Sequence, residues 1–282
     1  MKFLINFLLV ASICLSFLSC NKEEVDSLGA AIEPDLDNKK VLDATLEKAI
    51  ESEKLQFRGK SGQELSYAPN EQEPYTGWVK DSYENEQVKG LVHYENGLLD
   101  GQVRSWFSNG QQKYEGSFKN GLKIGRHTQW HEDGTKFFEG EFKDGLENGR
   151  HTEWHKNGTK GFQGDFVDGL RIGISTTWYE NGNKRREGEW KGGKMNGYDR
   201  KWHSNGQKRF ESQSKNGLGQ GLMVMWDEDG NKTDEINFKD DSWHGLKTEY
   251  FKNGQKKTEA EYKEGKIIGT KTRWTENGEL IE

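Results

Sequence analysis

The chain has 282 residues, of which 31% are hydrophobic, against roughly 45–50% on a glycine-inclusive count for a globular domain, so a conventional two-layer core is hard to build. The 35 glycines, 10 Trp, 9 Tyr and 14 Phe put the bulk in aromatics and turning residues, a poor composition for a doubly wound enzyme. With 41 basic residues against 47 acidic and a net charge of −6, the balance favours neither a polyanion-binding surface, and hence no nucleic-acid partner, nor an acid-tract disordered protein.

At the N-terminus, Lys2 precedes an apolar run from Phe3 to Leu18, then Ser19, Cys20 and the charged Asn21-Lys22-Glu23-Glu24. The run is shorter than the ~20 residues of a membrane-spanning helix and reads as a secretory signal. Cys20 resembles the lipidated cysteine of bacterial lipoproteins, and Lys22-Glu23-Glu24 resembles the tag of surface-exposed Bacteroidetes lipoproteins. The resemblance implies a signal peptide over 1–19, lipid attachment at Cys20 and an outer-membrane protein, periplasmic or surface-displayed. Cys14 and Cys20 are the only cysteines, so the mature body holds no disulfide or thiolate metal site. Loss of Lys2 with the signal takes the net charge from −6 to −7, and acyl chains rather than headgroup attraction would supply the anchor.

Residues 20–76 contain all three prolines, Pro34, Pro69 and Pro74, and a polar run from Glu33 to Lys40. This predicts a flexible tether. Within it Leu42, Leu46 and Ile50 recur at helical spacing, predicting a short helix near 41–56 packed on its own domain.

Over 77–282 the sequence repeats every 24 residues. Gly110, Gly134, Gly158, Gly182, Gly206, Gly230, Gly254 and Gly278 each follow Asn or Asp. A second series runs from Gly97 to Gly265 and fails only at Asp241, and a third runs from Gly77 to Gly269 without a gap. Three phase-locked series define a repeat array. Asn-Gly and Asp-Gly mark hairpins, because both central residues of a type I′ turn need positive φ. Each unit is therefore two short strands, and the prediction is an all-β, elongated antiparallel β-meander of about 16–18 strands, some 80 Å long at ~4.8 Å per strand. A parallel β-helix would need several stacked aliphatic positions per turn, where the chain offers mainly Leu122, Leu146, Leu170 and Leu218.

One aromatic position holds Trp106, Trp130, Trp154, Trp178, Trp202, Trp226 and Trp274, with Tyr250 standing in once; another holds Phe118, Phe142, Phe166, Trp190, Phe238 and Tyr262. Between them Gly116 recurs as Gly140, Gly164 and Gly188. The expectation is that each tryptophan lies flat across this gap, giving one aromatic face and one wet face carrying pairs such as Glu187 and Glu189 with His127, Lys201 and Lys247.

The motif from Trp130 to Gly149 resembles the MORN-repeat variant family, which includes proteins labelled YwqK-type antitoxins. The resemblance covers Gly77 to Glu282 and implies a protein scaffold or membrane-contact module; for some relatives it implies an antitoxin.

His127 with His131 and His151 with His155 invite a metal reading, but i and i+4 along a strand stand about 13 Å apart, too far to share an ion. Carboxylate pairs recur in several units, and the glycines match neither a dinucleotide fingerprint nor a P-loop. The sequence therefore points to a non-enzymatic, lipid-anchored scaffold without cofactor, binding an envelope protein through the tryptophan row, with a cell-wall or surface glycan as the alternative ligand.

Overall fold

The computed structural model describes residues 34–281. The signal segment, Cys20 and the first part of the tether lie outside the described residues. The chain divides into two compact units, Met1–Gly134 and Thr135–Glu282.

In the first unit, Asn38 caps α1 (Lys39–Lys48) by accepting from the Lys40 amide, and the helix ends at Ala49, whose backbone is extended. There follow β1 (Ile50–Glu51), a 3₁₀ turn at Ser52–Lys54, β2 (Gln56–Arg58) and β3 (Leu65–Tyr67), the last two forming a separate hairpin. The repeats begin with β4 (Gly77–Ser82), β5 (Val88–Glu95), β6 (Leu98–Trp106), β7 (Gln112–Lys119) and β8 (Leu122–Trp130), each antiparallel to the next. β1 pairs parallel with β4, Ile50 opposite Val79.

The stretch read as a flexible tether is thus folded from Pro34 onward. Leu36, Ala49 and Leu91 form a buried cluster with Leu42, Leu46, Trp78 and Trp106 packed against it. On the other side of the same strands, Ile50, Leu55 and Tyr75 cover Val79, Val92, Val103 and Phe118. The prolines and polar run signalled a spacer, but apolar side chains at 36, 42, 46, 49 and 50 remove enough surface from water to hold the segment down.

In the second unit, β9 (Lys136–Lys143) pairs with the short β10 (Leu146–Glu147) and with β11 (Gly149–Trp154). The meander continues through β12 (Lys160–Val167), β13 (Leu170–Trp178), β14 (Lys184–Lys191), β15 (Lys194–Trp202), β16 (Lys208–Lys215), β17 (Leu218–Trp226), β18 (Lys232–Lys239), β19 (Ser242–Tyr250), β20 (Lys256–Lys263) and β21 (Lys266–Arg273). Every consecutive pair from β11 on is antiparallel. The all-β antiparallel meander read from the glycine periodicity is therefore the observed architecture.

The two rows of turns differ in kind. Asn120-Gly121 and Asp168-Gly169 have positive φ at both residues, as a two-residue type I′ hairpin needs. Asp241, where the glycine series fails, still adopts φ 64°. The Gly110 row was expected to be the same turn and is not: only the glycine has positive φ, the Gly110 amide donates to the Phe107 carbonyl, and the Phe107 amide to that of Gln111. This is a longer loop, a tight turn closed by a left-handed glycine.

Each unit also carries a kink inside its second hairpin. Gln163 pairs with Thr176 and Asp165 with Ile172, so two steps on β12 face four on β13. Gly173, at φ 62°, lies in the extra length, where a side chain would be strained and the strand bends.

Register fixes the faces and corrects the expected ones. A Cβ on Gly116 would land on the His127 ring, and one on Gly140 would lie 2.8 Å from the His151 ring. At Gly116 and Gly140 the gap therefore admits an imidazole from the neighbouring strand and not the expected tryptophan, while Gly164 meets Phe162 and Ser175, and Gly188 meets Met195 and Trp190. His127 and His151 are 0% and 1% exposed, so His127 does not belong to a wet face. The tryptophans share the opposite side with the glutamates: Thr176, two residues before Trp178 on β13, pairs with Glu187, and Arg104, two before Trp106, pairs with Glu115. Both faces of the sheet carry aromatics.

Candidate functional site

The face that carries Gly116 and the second aromatics is an internal one. His151 lies 4.8 Å from the Phe166 ring, 5.1 Å from Phe142 and 5.4 Å from Phe138, and its Nε2 donates to the Glu141 carbonyl at 2.7 Å. In the first unit, Tyr114 donates its hydroxyl to His127 Nδ1 at 2.5 Å while His127 Nε2 donates to the Ile124 carbonyl at 3.2 Å. Burial raises the Tyr114 phenol well above its ordinary value, because an anion there would lose its hydration. These imidazoles pack and hydrogen-bond as core residues.

The face that carries Trp154, Trp178, Trp202, Trp226 and Trp274 in the second unit is built differently. All five are half-buried, on alternate strands about 10 Å apart. Each has a lysine from 18 residues earlier over its ring: Lys136 over Trp154 at 5.5 Å, Lys160 over Trp178 at 5.9 Å, Lys184 over Trp202 at 5.7 Å, Lys208 over Trp226 at 5.3 Å and Lys256 over Trp274 at 5.8 Å. Lys232 does the same over Tyr250 at 5.2 Å. An ammonium over a ring face is attracted by its quadrupole. Most of these lysines also pair with a glutamate three residues on, Lys136 with Glu139, Lys184 with Glu187, Lys208 with Glu211, Lys232 with Glu235 and Lys256 with Glu259, at 2.5–2.9 Å.

The tryptophan row is therefore not a bare aromatic strip. It is a ladder in which ring, ammonium and carboxylate alternate, with side chains engaged on both sides of each charge. Two of its carboxylates, Glu211 and Glu235, are shifted accordingly. Contact with Lys208 holds Glu211 below the usual range, against the opposing effect of burial. At Glu235 burial opposes ionisation, but hydrogen bonds from Lys232 and Tyr250 outweigh it and the net shift is down. Burial first, and then Glu235, push the Tyr250 phenol up to about 12. Carboxylates so committed to lysines have no free proton-transfer role, and Glu187 is further bound by Arg200 at 3.5 Å.

In the first unit, Trp130 is half-buried and Trp106 lies against the Leu36, Ala49 and Leu91 cluster beside α1. Arg104 joins the two layers, bonding Asp37 at 2.8 Å and Glu115 at 3.2 Å.

The turn glycines sit where each unit is tied to the next. Asn157 accepts from the Thr159 amide and donates to the Glu180 carbonyl, 23 residues on, at 2.7 Å. Asn109, Asn181, Asn205 and Asn253 repeat the link to residues 132, 204, 228 and 276. The residue after each tryptophan adds a second tie: His155 donates to the Trp178 carbonyl, Tyr179 to that of Trp202 and His203 to that of Trp226. His155, one of the histidines that invited a metal reading, is thus a turn-linking donor.

A sheet whose successive units repeat the same aromatic, ionic and turn contacts is a β-meander repeat protein. The chain is similar to the MORN repeat variant family, which it matches at residues 99–120, 171–191 and 243–264. MORN repeats are a non-catalytic type, generally involved in protein or membrane binding. No curated protein matches the chain.

Proposed function

We propose that this protein is a non-enzymatic binding scaffold, held in the bacterial envelope by a lipid on Cys20, that engages another envelope protein along its tryptophan face. The observation that carries the reading is the contrast between Trp106 and its copies. At Trp106 the face is covered by the chain's own α1, whose Leu42 and Leu46 pack there. Trp106 and its copies from Trp154 to Trp274 are alike half-buried, but at the copies lysines of the same sheet lie over the rings in place of α1. The repeat position that receives a protein segment in the first unit carries a charged version of that surface in the second. There Glu139, Glu187 and Glu211 stand at the repeat position that Leu91 fills, so the matching partner surface is polar, with acids for the lysines and bases for the glutamates. The YwqK-type antitoxin role implied by the family resemblance does not suit a lipid-anchored protein.

Photo-crosslinkers placed at 160 and 184 on this face, and at 163 and 189 as a further pair on the same two strands, test the reading in intact cells. One protein captured at these positions, and lost when Trp154 and Trp178 are changed to alanine in a chain that still folds, is the expected result. Unchanged capture in that double variant would leave the tryptophans with a structural role only. Incorporation of a palmitate analogue into the wild-type chain and its loss in Cys20→Ser checks the anchor separately.

A further inference from the structure

The overall charge of −6 conceals a local reversal in the second unit. Four cations, Arg185, Arg186, Lys201 and Arg209, line a cleft of about 440 Å³ together with Tyr179 and Trp202. The cleft lies along the row of longer turns, where β13 and β15 end and β14 and β16 begin. Its one neighbouring acid is Asp199, which is buried and receives Arg186 at 2.7 and 3.1 Å, with Lys201 at 3.7 Å. Arg185 and Arg209 are exposed and form no ion pair with a described residue. Four positive groups against one carboxylate leave three uncompensated charges converging on one cleft.

Arg185 and Arg209 occupy one repeat position, which is also basic at Lys113 and Lys257, and the position of Lys201 varies from Ser105 and Thr177 to Glu153 and Arg273. Arg186 is the departure from the repeat: its position holds Tyr114, Phe138, Phe162 and Phe210 in four other units, where it supplies a ring. Here the aromatic is replaced by a guanidinium held by Asp199, which fixes its direction.

We propose that this cleft binds a tetrahedral oxyanion, the phosphate or sulfate group of a small ester ligand. Guanidinium forks match the oxygen edges of such groups in pairs, which a lone ammonium does not. Arg185 and Arg209 supply the free forks, Lys201 supplies a further charge, and Arg186 with Asp199 forms the fixed wall. Tyr179, whose hydroxyl is committed to the Trp202 carbonyl at 2.8 Å, has the Arg185 guanidinium over its ring at 6.0 Å, so the ring holds that fork at the cleft. Mutual repulsion of the exposed guanidiniums is relieved only when the anion is bound, so affinity falls as salt rises.

Titration calorimetry of the folded chain at low ionic strength tests this with four probes: inorganic sulfate, inorganic phosphate, a monosulfated disaccharide and the same disaccharide without sulfate. Saturable binding of the oxyanions or the sulfated sugar is expected, at least ten-fold weaker in Arg185→Gln/Arg209→Gln and unchanged in Lys113→Gln, which alters the matching repeat position in the first unit. A sulfated sugar that binds tighter than free sulfate identifies an ester ligand; equal affinity identifies the free ion. Heat from the unsulfated sugar equal to that from the sulfated one would overturn the proposal, as would full binding in the double variant. Both replaced arginines are exposed, so an unchanged thermal transition confirms that any loss is of binding and not of fold.

Discussion

The two units solve the same problem with different materials. Both clusters of buried hydrophobic side chains among the described residues lie in the first unit, where valines and leucines from β4–β6 meet α1 on one side and Ile50 and Leu55 on the other. The second unit is held by His151 among phenylalanines, by lysines over tryptophans and by asparagines reaching the next turn. Where α1 and β1 pack on the strands a conventional core forms, whereas repeats that stack only on their own copies rely on contacts that are individually weak.

The largest expected effect breaks the first unit. Leu91 is 0% exposed and sits under α1, so Leu91→Ala should cost about 2–5 kcal/mol and free the helix, read as a lower midpoint in urea and faster amide exchange over Lys39–Lys48. Leu146 is 41% exposed in the second unit, and Leu146→Ala should stay within about 0.5 kcal/mol of the wild type. Comparable losses at the two leucines would remove the distinction between the units.

The matching break in the second unit is Gly164→Ala. Its Cβ would meet Phe162 Cζ at 2.8 Å and Ser175 Cβ at 3.0 Å, an overpacking cost of about 1–3 kcal/mol by denaturant unfolding.

A smaller change sharpens the comparison. Asn157→Asp removes the donor to the Glu180 carbonyl and should cost about 1 kcal/mol. The repeat makes this exchange twice, at Asp133 and at Asp229, and at the latter Lys252 from the next turn donates to the carboxylate at 3.2 Å. Adding Glu180→Lys to Asn157→Asp should therefore recover most of the loss, measured as a double-mutant cycle.

The smallest effects are those of pH: acid acts on carboxylates of the second unit, and alkali acts on phenols of both units, Tyr250 included. Glu211, Glu235 and Glu249, all in the second unit, are held below the carboxylate range chiefly by lysine contacts working against burial. Their contribution is present above the unfolded value near 4.5 and is lost as pH falls through the lower folded ones, so acid should loosen the second unit first. Tyr75, Tyr94 and Tyr114 in the first unit are raised by burial. Their contribution is present below pH 10 and is lost as pH rises toward the folded values, so alkali should tell there. Amide exchange at the two extremes of pH, resolved by segment, checks both.

Which parts were legible in the sequence follows from which constraints are local. Positive φ favours glycine, asparagine and aspartate, with Glu86 and Glu264 the exceptions here, so the turns and the strand count were readable from Gly110, Gly121 and their copies. The faces were not, because Trp106 pairs with Gln112 while Ser105 pairs with Tyr114: one residue of β7 is skipped at the tryptophan, and counting by twos cannot see a bulge. The packed tether was missed because Leu36 and Ala49 are isolated in polar sequence, though the Leu42 and Leu46 stripe did announce the helix. The basic cleft was missed because net charge is an average; the signal lay in reading Arg186 against Phe162 and Phe210 one repeat away.

The asparagine link in the turns has a consequence for how such a chain changes length. Because Asn157, Asn181 and Asn205 each reach a carbonyl 23 residues ahead, removing or duplicating a block of 24 leaves every remaining donor with an acceptor of the same kind at the same distance. A block of 23 or 25 throws out of register the link that spans the junction, while links wholly on either side keep their spacing. The gene can thus gain or shed whole periods by replication slippage without a folding penalty beyond the contacts of the period itself, and copy number becomes a heritable dial on how much binding surface the protein presents.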